Sequence, residues 1–264
     1  MKKYLVIGNP IEHSLSPKLH NYWIKKNNIN ASYEKKLISE NDIGNIISKI
    51  KSEEITGINV TVPFKNKVVE YMDVLTKEAH ETNSVNTIYL KDQKIIGHNT
   101  DIAGFELGIR SYGYDIKKKN IFIFGAGGVV PSIIAALKKM GASKIFLYNR
   151  TVSKSENIKK LFRDIEIVDK KNIPNDTDML INASSLGIKK NDKIDLNYKK
   201  IGSNKFYYDV IYNPVETFFL KEAKKFGNKV ENGKKMFIYQ AHQAFAIWHN
   251  VFPKIDEEVE KLLD

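Results

Sequence analysis

Residues 121–150 read IFIFGAGGVVPSIIAALKKMGASKIFLYNR, and their pattern indicates the fold class. The apolar run Ile121 to Phe124 predicts a buried strand, and the glycine-rich residues Gly125 to Gly128 predict a turn after it. A helix is expected from about Val130 to Met140, followed by a new strand from Lys144 to Tyr148. The stretch is therefore one complete strand-turn-helix-strand unit, the repeating element of a parallel α/β sheet.

The sequence that follows continues this alternation. Further strands are predicted at Ile165 to Val168, Met179 to Asn182 and Phe206 to Val210, with a helix from about Glu216 to Phe226. We therefore expect residues 104–237 to form a doubly wound, Rossmann-type α/β domain.

The sequence before this stretch predicts a second α/β domain, residues 1–103. Apolar runs alternate there with helical patterns, and a hairpin is expected to turn at Lys91 to Gln93. The runs are Tyr4 to Ile7, Tyr33 to Ile38, Ile55 to Val62 and Val85 to Leu90, and the helical patterns lie near Pro17 to Lys26 and Asn41 to Lys51. A helix from Asp101 to Tyr112 leaves this domain, and C-terminal helices within 238–264 could pack back on it.

The composition indicates a globular, cytoplasmic protein. Apolar residues make up 42% of the 264 residues, and no apolar run is long enough for a signal-peptide core or a membrane span. Cysteine is absent, which removes disulfides and thiolate sites, and the six histidines contain no helical i, i+4 pair. We therefore expect neither a metal nor a membrane partner.

The formal net charge of +11 raises the question of nucleic-acid binding. Only three of the 42 basic residues are arginines, and the lysines are scattered through the chain. Because no basic stripe is interleaved with aromatic residues, we expect no nucleic-acid partner.

The glycine turn suits a dinucleotide. Gly125, Gly127 and Gly128 follow a strand and open a helix, where glycine permits a tight turn and close approach of the backbone to a pyrophosphate. A bare structural turn is the alternative. An acid about 20 residues further on would bind the adenosine ribose of NAD, but Asn149, Arg150 and Thr151 stand there, with Lys154 close behind. These cations and hydroxyls favour the 2′-phosphate of NADP, although Lys154 could equally belong to a solvated loop.

The first domain carries polar residues in unusual places. Asn59 and Thr61 share one face of a strand that Pro63 ends, and Lys65 follows at the corner. A second polar group, Asn99 to Asp101, begins a helix, where Thr100 or Asp101 could simply be an N-cap.

The segment before the first helix has the same ambiguity. Ser14 and Ser16 could bind a carboxylate together with Asn21, or could merely mark an ordinary helix start before Pro17.

Taken together, these segments closely resemble the shikimate dehydrogenase family. The resemblance covers nearly the whole chain, in nine segments that occur in one order. They are GNPIEHSLSPKLHN (8–21), GINVTVPFK (57–65), SVNTI (84–88), GHNTDIAG (97–104), GAGG (125–128), NRT (149–151), NASSLG (182–187), DVIYNPVET (209–217) and NGKKMFIYQAHQAF (232–245). Ser184 stands where threonine is more usual, and Ile188 where methionine is.

The resemblance implies a reversible, NADPH-dependent reduction of 3-dehydroshikimate to shikimate, a step of chorismate and aromatic amino acid biosynthesis. It implies that Lys65 and Asp101 are the catalytic pair. The implied substrate-binding residues are Ser14, Ser16, Asn59, Thr61, Asn86, Tyr212 and Gln243. The implied cofactor-binding residues are Gly125, Ala126, Gly127, Gly128, Val129, Asn149, Arg150, Thr151, Lys154, Ala183, Ser184, Val210, Gly233 and Met236.

Two alternatives remain at this point. An NAD-linked quinate/shikimate dehydrogenase would share the catalytic segments, and Arg150 with Lys154 disfavours it. A non-catalytic NADPH-binding sensor would keep the fold without the chemistry, and the presence of both Lys65 and Asp101 disfavours that. The sequence is compatible with a monomer or a homodimer.

Overall fold

The computed structural model describes residues 1–189 and 192–263. They divide into two units, one formed by Met1–Gly104 with the segment that begins at Ile238, the other by Phe105–Phe237. Within the described residues, the strands form two sheets of six. No helix in this part of the chain is long and apolar enough to cross a bilayer.

The first unit is built on a mixed sheet. Its elements are β1 (Lys2–Gly8), α1 (Ser16–Lys26), β2 (Ala31–Leu37), α2 (Ile43–Lys51), β3 (Gly57–Val60), β4 (Val74–Leu75), α3 (Lys77–Thr82), β5 (Thr87–Lys91), β6 (Lys94–His98) and the start of α4 (Asp101–Ser111). The strand order is β2-β1-β3-β5-β6-β4. β1 is parallel to β2 and β3, whereas β5 is antiparallel to both β3 and β6.

Isoleucines dominate the core of this unit. In α2 the residues Ile43, Ile46, Ile47 and Ile50 are all buried, a spacing that places them on one face of the helix. They join the buried residues of β1 and β3 in one hydrophobic cluster. This apolar face therefore fixes α2 against the sheet.

The second unit contains residues 121–150, the strand-turn-helix-strand stretch of the sequence. Its elements are β7 (Asn120–Phe124), α5 (Val130–Lys139), β8 (Lys144–Tyr148), α6 (Val152–Leu161), β9 (Glu166–Ile167), β10 (Met179–Asn182), α7 (Tyr198–Ile201), β11 (Phe206–Asp209), α8 (Phe218–Lys225) and β12 (Lys229–Glu231). The order β12-β11-β10-β7-β8-β9, parallel throughout, is that of a doubly wound sheet. The predicted fold class is thus confirmed.

The C-terminal helices are α9 (Lys234–His249) and α10 (Glu257–Leu262). Most of α9 and all of α10 fall in the segment that begins at Ile238 and so belong to the first unit. Asp256 caps α10 by accepting a hydrogen bond from the Val259 backbone N–H at 3.2 Å.

Several predicted boundaries differ from the observed ones. The strand predicted to reach Val62 ends at Val60, because the chain turns where the Phe64 N–H donates to the Thr61 carbonyl and Pro63 has no N–H for the ladder. The helix predicted from Glu216 begins at Phe218, where the Thr217 hydroxyl caps it. The predicted hairpin forms between β5 and β6, with Asp92 and Gln93 at positive φ in the turn.

Candidate active site

A group of buried polar side chains lies where β3, β5 and the start of α4 come together in the first unit. We call Lys65, Asn86, Thr100 and Asp101 the polar cluster. The pairing of the strands explains their proximity, because Asn59 of β3 lies opposite Thr87 of β5, and Thr87 lies opposite His98 of β6. Asn86 directly precedes β5, and Thr100 and Asp101 follow β6.

Lys65 and Asp101 form a buried ion pair. Lys65 Nζ lies 2.5 Å from Asp101 Oδ2, and the two residues are only 9% and 4% exposed. Asn86 Nδ2 donates to the other carboxylate oxygen, Oδ1, at 2.9 Å. Both oxygens of Asp101 therefore bind side chains outside α4, while the Asp101 N–H donates to Asn99 Oδ1 at 3.0 Å. This geometry gives Asp101 more than the N-cap role that its position alone would allow.

The Asn86 amide is held from both ends. Its Oδ1 accepts from the Thr100 backbone N–H at 2.8 Å, and its Nδ2 donates to Thr100 Oγ1 at 2.9 Å as well as to Asp101. Because donor and acceptor sides are both engaged, the amide has one favoured orientation. Asn86 therefore fixes the direction of the Asp101 carboxylate.

Asn59 and Thr61 lie at the end of β3, as the sequence predicts. Asn59 Nδ2 donates to the Asn86 carbonyl and to Thr87 Oγ1, both at 3.0 Å, so Asn59 is tied directly to the polar cluster. Thr61 is half-buried one residue beyond the strand.

Ser14 and Ser16 lie at the start of α1. The capping residue of this helix is Leu15, and no side chain forms its cap. Ser14 Oγ accepts from the Ser16 N–H at 3.4 Å, a local turn contact, while Ser16 itself is 7% exposed. Asn21, the third residue of the predicted carboxylate site, instead pairs with the backbone of Tyr33, donating to its carbonyl at 2.7 Å and accepting from its N–H at 3.0 Å.

The sequence resemblance implies a substrate-binding role for Gln243 of α9, and the structure adds a second glutamine of the same helix. Gln240 Oε1 lies 3.5 Å from Asn86 Nδ2, next to the polar cluster. Gln243, the residue that the sequence comparison favoured, has its Nε2 3.5 Å from His242 Nδ1. Gln240, three residues before Gln243 in YQAHQAF, was not among the residues that the resemblance implied. Gln243 remains a prediction, and Gln240 joins it as a candidate.

Tyr212 belongs to the second unit. Its ring stacks on Phe237 with the centroids 4.6 Å apart, and burial raises the pKa of its phenol to about 12. The phenol is therefore protonated, and able to donate, at neutral pH.

The glycine turn of the second unit lies where the strand order reverses, between β7 and β10. Gly125 has φ +108°, and a side chain there would lie 2.6 Å from the Ala183 carbonyl oxygen. Glycine is thus required. At Gly127 a side chain would meet only the same oxygen at 4.0 Å, so packing within the unit does not demand glycine at this position.

The helix after the turn has no side-chain cap at its N-terminus. Val129 caps α5 without a side-chain hydrogen bond, and no acidic residue occupies its first turn. Backbone N–H groups and the helix dipole at such an end favour an anion. The turn and the helix start therefore fit the pyrophosphate of a dinucleotide.

Arg150 follows the end of β8 and is exposed. Among residues 1–189 and 192–263 no acidic side chain forms an ion pair with its guanidinium. Asn149 Nδ2 donates to the Thr151 carbonyl at 2.8 Å, Thr151 precedes α6 without capping it, and the first turn of α6 has no acid. Arg150, Thr151 and the exposed Lys154 fit a phosphate monoester at the helix start.

The other five candidate cofactor residues follow the ends of β10 and β11 or lie at the start of α9. Ala183 and Val210 come directly after their strands. Gly233 packs so closely on the Val210 carbonyl that any side chain there would collide with it. Ser184 donates to Asn182 Oδ1 at 2.7 Å, and Met236 is buried.

A buried network lies behind these loops and was not predicted from the sequence. Asp209, at the end of β11, is fully buried and accepts from Asn182 Nδ2 at 3.0 Å, the Ile211 N–H at 3.0 Å and Thr217 Oγ1 at 2.6 Å. Asn182 also donates to the Leu186 carbonyl at 2.9 Å. The network thus anchors both loops, and its only sequence signal was a polar residue ending each of two apolar strands.

Asp209 should make stability depend on pH. Burial, opposed by its hydrogen bonds to Thr217, Ile211 and Asn182, raises its pKa to about 6. The folded state then binds the proton more tightly than the unfolded state, so ionisation of Asp209 lowers the free energy of unfolding as pH rises from about 4 to about 6, by about 3 kcal/mol. Urea unfolding should show that the free energy of unfolding of wild type, relative to that of Asp209→Asn, falls by about this amount between pH 4 and pH 7. A pH-independent difference would contradict the raised pKa.

Taken by itself, the second unit defines the class of dinucleotide-binding α/β proteins, and the first unit adds a buried lysine-carboxylate pair suited to proton transfer. Family models described as "Shikimate dehydrogenase substrate binding domain" and "Shikimate / quinate 5-dehydrogenase" match residues 6–88 and 106–207. The chain belongs to the shikimate dehydrogenase family, as its sequence segments predict.

Relatives match along the full length. The chain is 56% identical over 263 residues to the shikimate dehydrogenase (NADP(+)) of Pelagibacter ubique, covering 100% of this chain and 99% of the relative. Two crystal structures share the fold. Shikimate dehydrogenase from Aquifex aeolicus has 34% sequence identity and a TM-score of 0.91, and the match covers 100% of this chain and 97% of that one. A shikimate dehydrogenase in complex with NADP+ has 34% identity and a TM-score of 0.93, and the match covers 100% of this chain and 94% of that one.

Proposed function

We propose that this chain is an NADP-dependent shikimate dehydrogenase that reversibly reduces 3-dehydroshikimate to shikimate, a step of chorismate biosynthesis. The observation that carries the proposal is the buried Lys65–Asp101 pair, held by Asn86 at 2.9 Å. Residues 1–103 would bind the substrate and residues 104–237 the cofactor. The full-length NADP-linked relatives support both the activity and the cofactor.

Lys65 has the chemistry that the reduction needs. NADPH, when bound, supplies the hydride. As the ketone oxygen of the substrate gains negative charge, the Lys65 ammonium stabilises it and then donates a proton. Because Lys65 is only 9% exposed, its charge acts through a medium that screens it less than water does.

Asp101 orients this ammonium. Its Oδ2 accepts from Lys65, while Asn86 holds its Oδ1. We assign it a second contact, to a ring hydroxyl next to the reacting carbon. Asp101 therefore contributes to both proton transfer and substrate placement.

The remaining polar residues would bind the ring and its carboxylate. Ser14 and Ser16 supply hydroxyl donors for the carboxylate, and Asn59, Thr61 and Asn86 supply partners for the hydroxyls. Tyr212 completes the proposed set together with one glutamine of α9. The position of Gln240 beside Asn86 favours it over Gln243, the residue that the resemblance implies.

The cofactor would be bound by the glycine turn and the end of β8. The turn of residues 125–129 and the start of α5 would lie against the pyrophosphate, and Arg150, Thr151 and Lys154 would bind the 2′-phosphate. The loops with Ala183, Ser184, Val210, Gly233 and Met236 form the rest of the proposed site. The absence of an acid at 149–151 disfavours an NAD-linked quinate enzyme.

The two glutamines of α9 offer a matched test of the substrate site. Gln240→Ala should raise the KM for shikimate about three- to tenfold, because it removes one hydrogen-bonding group beside Asn86. Gln243→Ala, three residues along the same helix, should change this KM less than twofold. The KM for NADP serves as the internal control in both variants. The reverse order would make Gln243 the binding residue, as the sequence comparison predicted.

Product analysis tests the activity itself. The purified chain with 3-dehydroshikimate and NADPH should form shikimate, identified against an authentic standard by chromatography. Absence of that product would refute the proposal. We also propose a cytoplasmic location and a monomer or homodimer, which light scattering of the purified chain distinguishes.

A further inference from the structure

Tyr33 stands out because it is buried in a strand that is otherwise largely exposed. It lies in β2, at the edge of the first sheet, and is the one residue of Ala31–Leu37 that is buried, with 2% exposure. A large aromatic residue in that position needs partners for both its ring and its hydroxyl. The structure supplies them from β3 and from α1.

The hydroxyl of Tyr33 engages a proposed substrate ligand. It donates to Asn59 Oδ1 at 2.7 Å. Asn59 Nδ2 is already directed to the Asn86 carbonyl and Thr87 Oγ1, so the Tyr33 hydroxyl fixes the opposite end of the same amide. One lone pair of Asn59 Oδ1 then remains to accept from a substrate hydroxyl.

Helix α1 holds Tyr33 in place with residues at its backbone, against its ring and near its hydroxyl. Asn21 pairs with both backbone polar groups of Tyr33. His20 stacks on the ring, with centroids 4.2 Å apart and planes 4° apart, and burial lowers its pKa to about 3, so it stacks as a neutral ring at neutral pH. Ser16 lies one turn before His20 on the same helix face and close to the phenol, where it opposes the large rise in the pKa of Tyr33 that burial causes.

We propose that Tyr33 is a positioning residue of the shikimate site, which orients the Asn59 amide and couples it to the helix start that carries Ser16. This inference rests on the proposed function, because it takes Asn59 and Ser16 as substrate ligands. Tyr33 itself contacts neither substrate nor cofactor in this account. It acts by keeping its neighbours in the orientation that binds the ring.

The chain contains a matched control for the hydroxyl. Tyr4 of β1 lies directly opposite Tyr33 in the strand register and is fully buried. Its hydroxyl has no hydrogen-bond partner among the residues that the structure describes, in contrast to that of Tyr33. Tyr4→Phe and Tyr33→Phe thus each delete one buried oxygen from neighbouring sites of the same sheet, and only the second deletion breaks a contact with a proposed ligand.

The experiment compares steady-state kinetics of wild type, Tyr33→Phe and Tyr4→Phe, together with thermal unfolding. Tyr33→Phe should raise the KM for shikimate about three- to tenfold, leave the KM for NADP unchanged and leave the ring packing intact. Tyr4→Phe should leave both KM values as in wild type. This split between substrate and cofactor is one that a merely structural role would not produce.

Three results would overturn the inference. They are an unchanged shikimate KM in Tyr33→Phe, equal changes in the two variants, and a parallel rise of both KM values with a lowered Tm. Failure of the proposed function looks different, because wild type itself would then not oxidise shikimate with NADP. In that case both the proposed activity and the positioning role of Tyr33 would be refuted.

Discussion

Replacement of Lys65 by alanine should lower kcat at least about 100-fold, with a much smaller change in the KM for shikimate. General acid catalysis and stabilisation of a developing oxyanion act mainly in the transition state, and proton transfer of this kind contributes about 10²- to 10⁴-fold. Lys65 is the cation 2.5 Å from Asp101 in the polar cluster. Initial rates of shikimate oxidation over a range of concentrations measure both constants.

The control for this variant must account for stability. Removing one partner of a buried ion pair costs about 3–5 kcal/mol, so circular dichroism should first establish that Lys65→Ala is folded at the assay temperature. Lys67→Ala removes a nearby lysine that pairs with Glu40 in a more exposed position, and it should keep wild-type kcat. A folded Lys65→Ala variant with more than half of wild-type turnover would remove Lys65 from the mechanism.

Replacement of Arg150 by alanine should raise the KM for NADP about 10- to 100-fold and leave the KM for NAD nearly unchanged. A charge-assisted contact between guanidinium and phosphate is worth about 1.5–3 kcal/mol, and NAD has no 2′-phosphate to receive it. Arg150 is exposed, and in the described part of the chain no acid competes for it. The salt dependence of NADP binding should weaken as well, because one exposed charge contact is lost.

Arg163 provides the matched control for this prediction. It is also an exposed arginine of the second unit, and it follows the end of α6 instead of preceding its start. Arg163→Ala should leave both cofactor KM values unchanged at low and high salt. If Arg150→Ala raised the KM for NADP and the KM for NAD equally, Arg150 would not bind the 2′-phosphate. An NAD-linked enzyme would then become the better assignment.

The fold was predictable where apolar periodicity was strong. The pattern of an apolar run, a glycine turn and an amphipathic helix at residues 121–140 fits only a strand-turn-helix unit. The predicted helix from Val130 ends within one residue of the observed end of α5. Helix α6 was not predicted, because only Ser155 and Ile158 are buried in its ten residues. A helix with so narrow an apolar face leaves almost no periodic signal.

The candidate site was predictable as a set of residues but not as a set of contacts. Segment resemblance named Lys65, Asp101 and Asn86, and the strand register explains why they meet. The sequence pointed to Gln243 and not to Gln240, since only the structure shows which neighbour each side chain of this helix reaches. Nor could it find the support given by Asp209 or Tyr33, because such roles depend on hydrogen bonds between residues far apart in the chain.

Nicotinamide absorbance of the wild-type protein, supplied with shikimate or quinate and each paired with NADP or NAD, tests the assignment as a whole. We predict that shikimate with NADP gives by far the highest kcat/KM, and that changing NADP for NAD lowers it at least about 10-fold. Equal rates with NAD and NADP, or a preference for quinate, would contradict the assignment, and absence of turnover in all four pairs would leave a dinucleotide-binding protein without this chemistry.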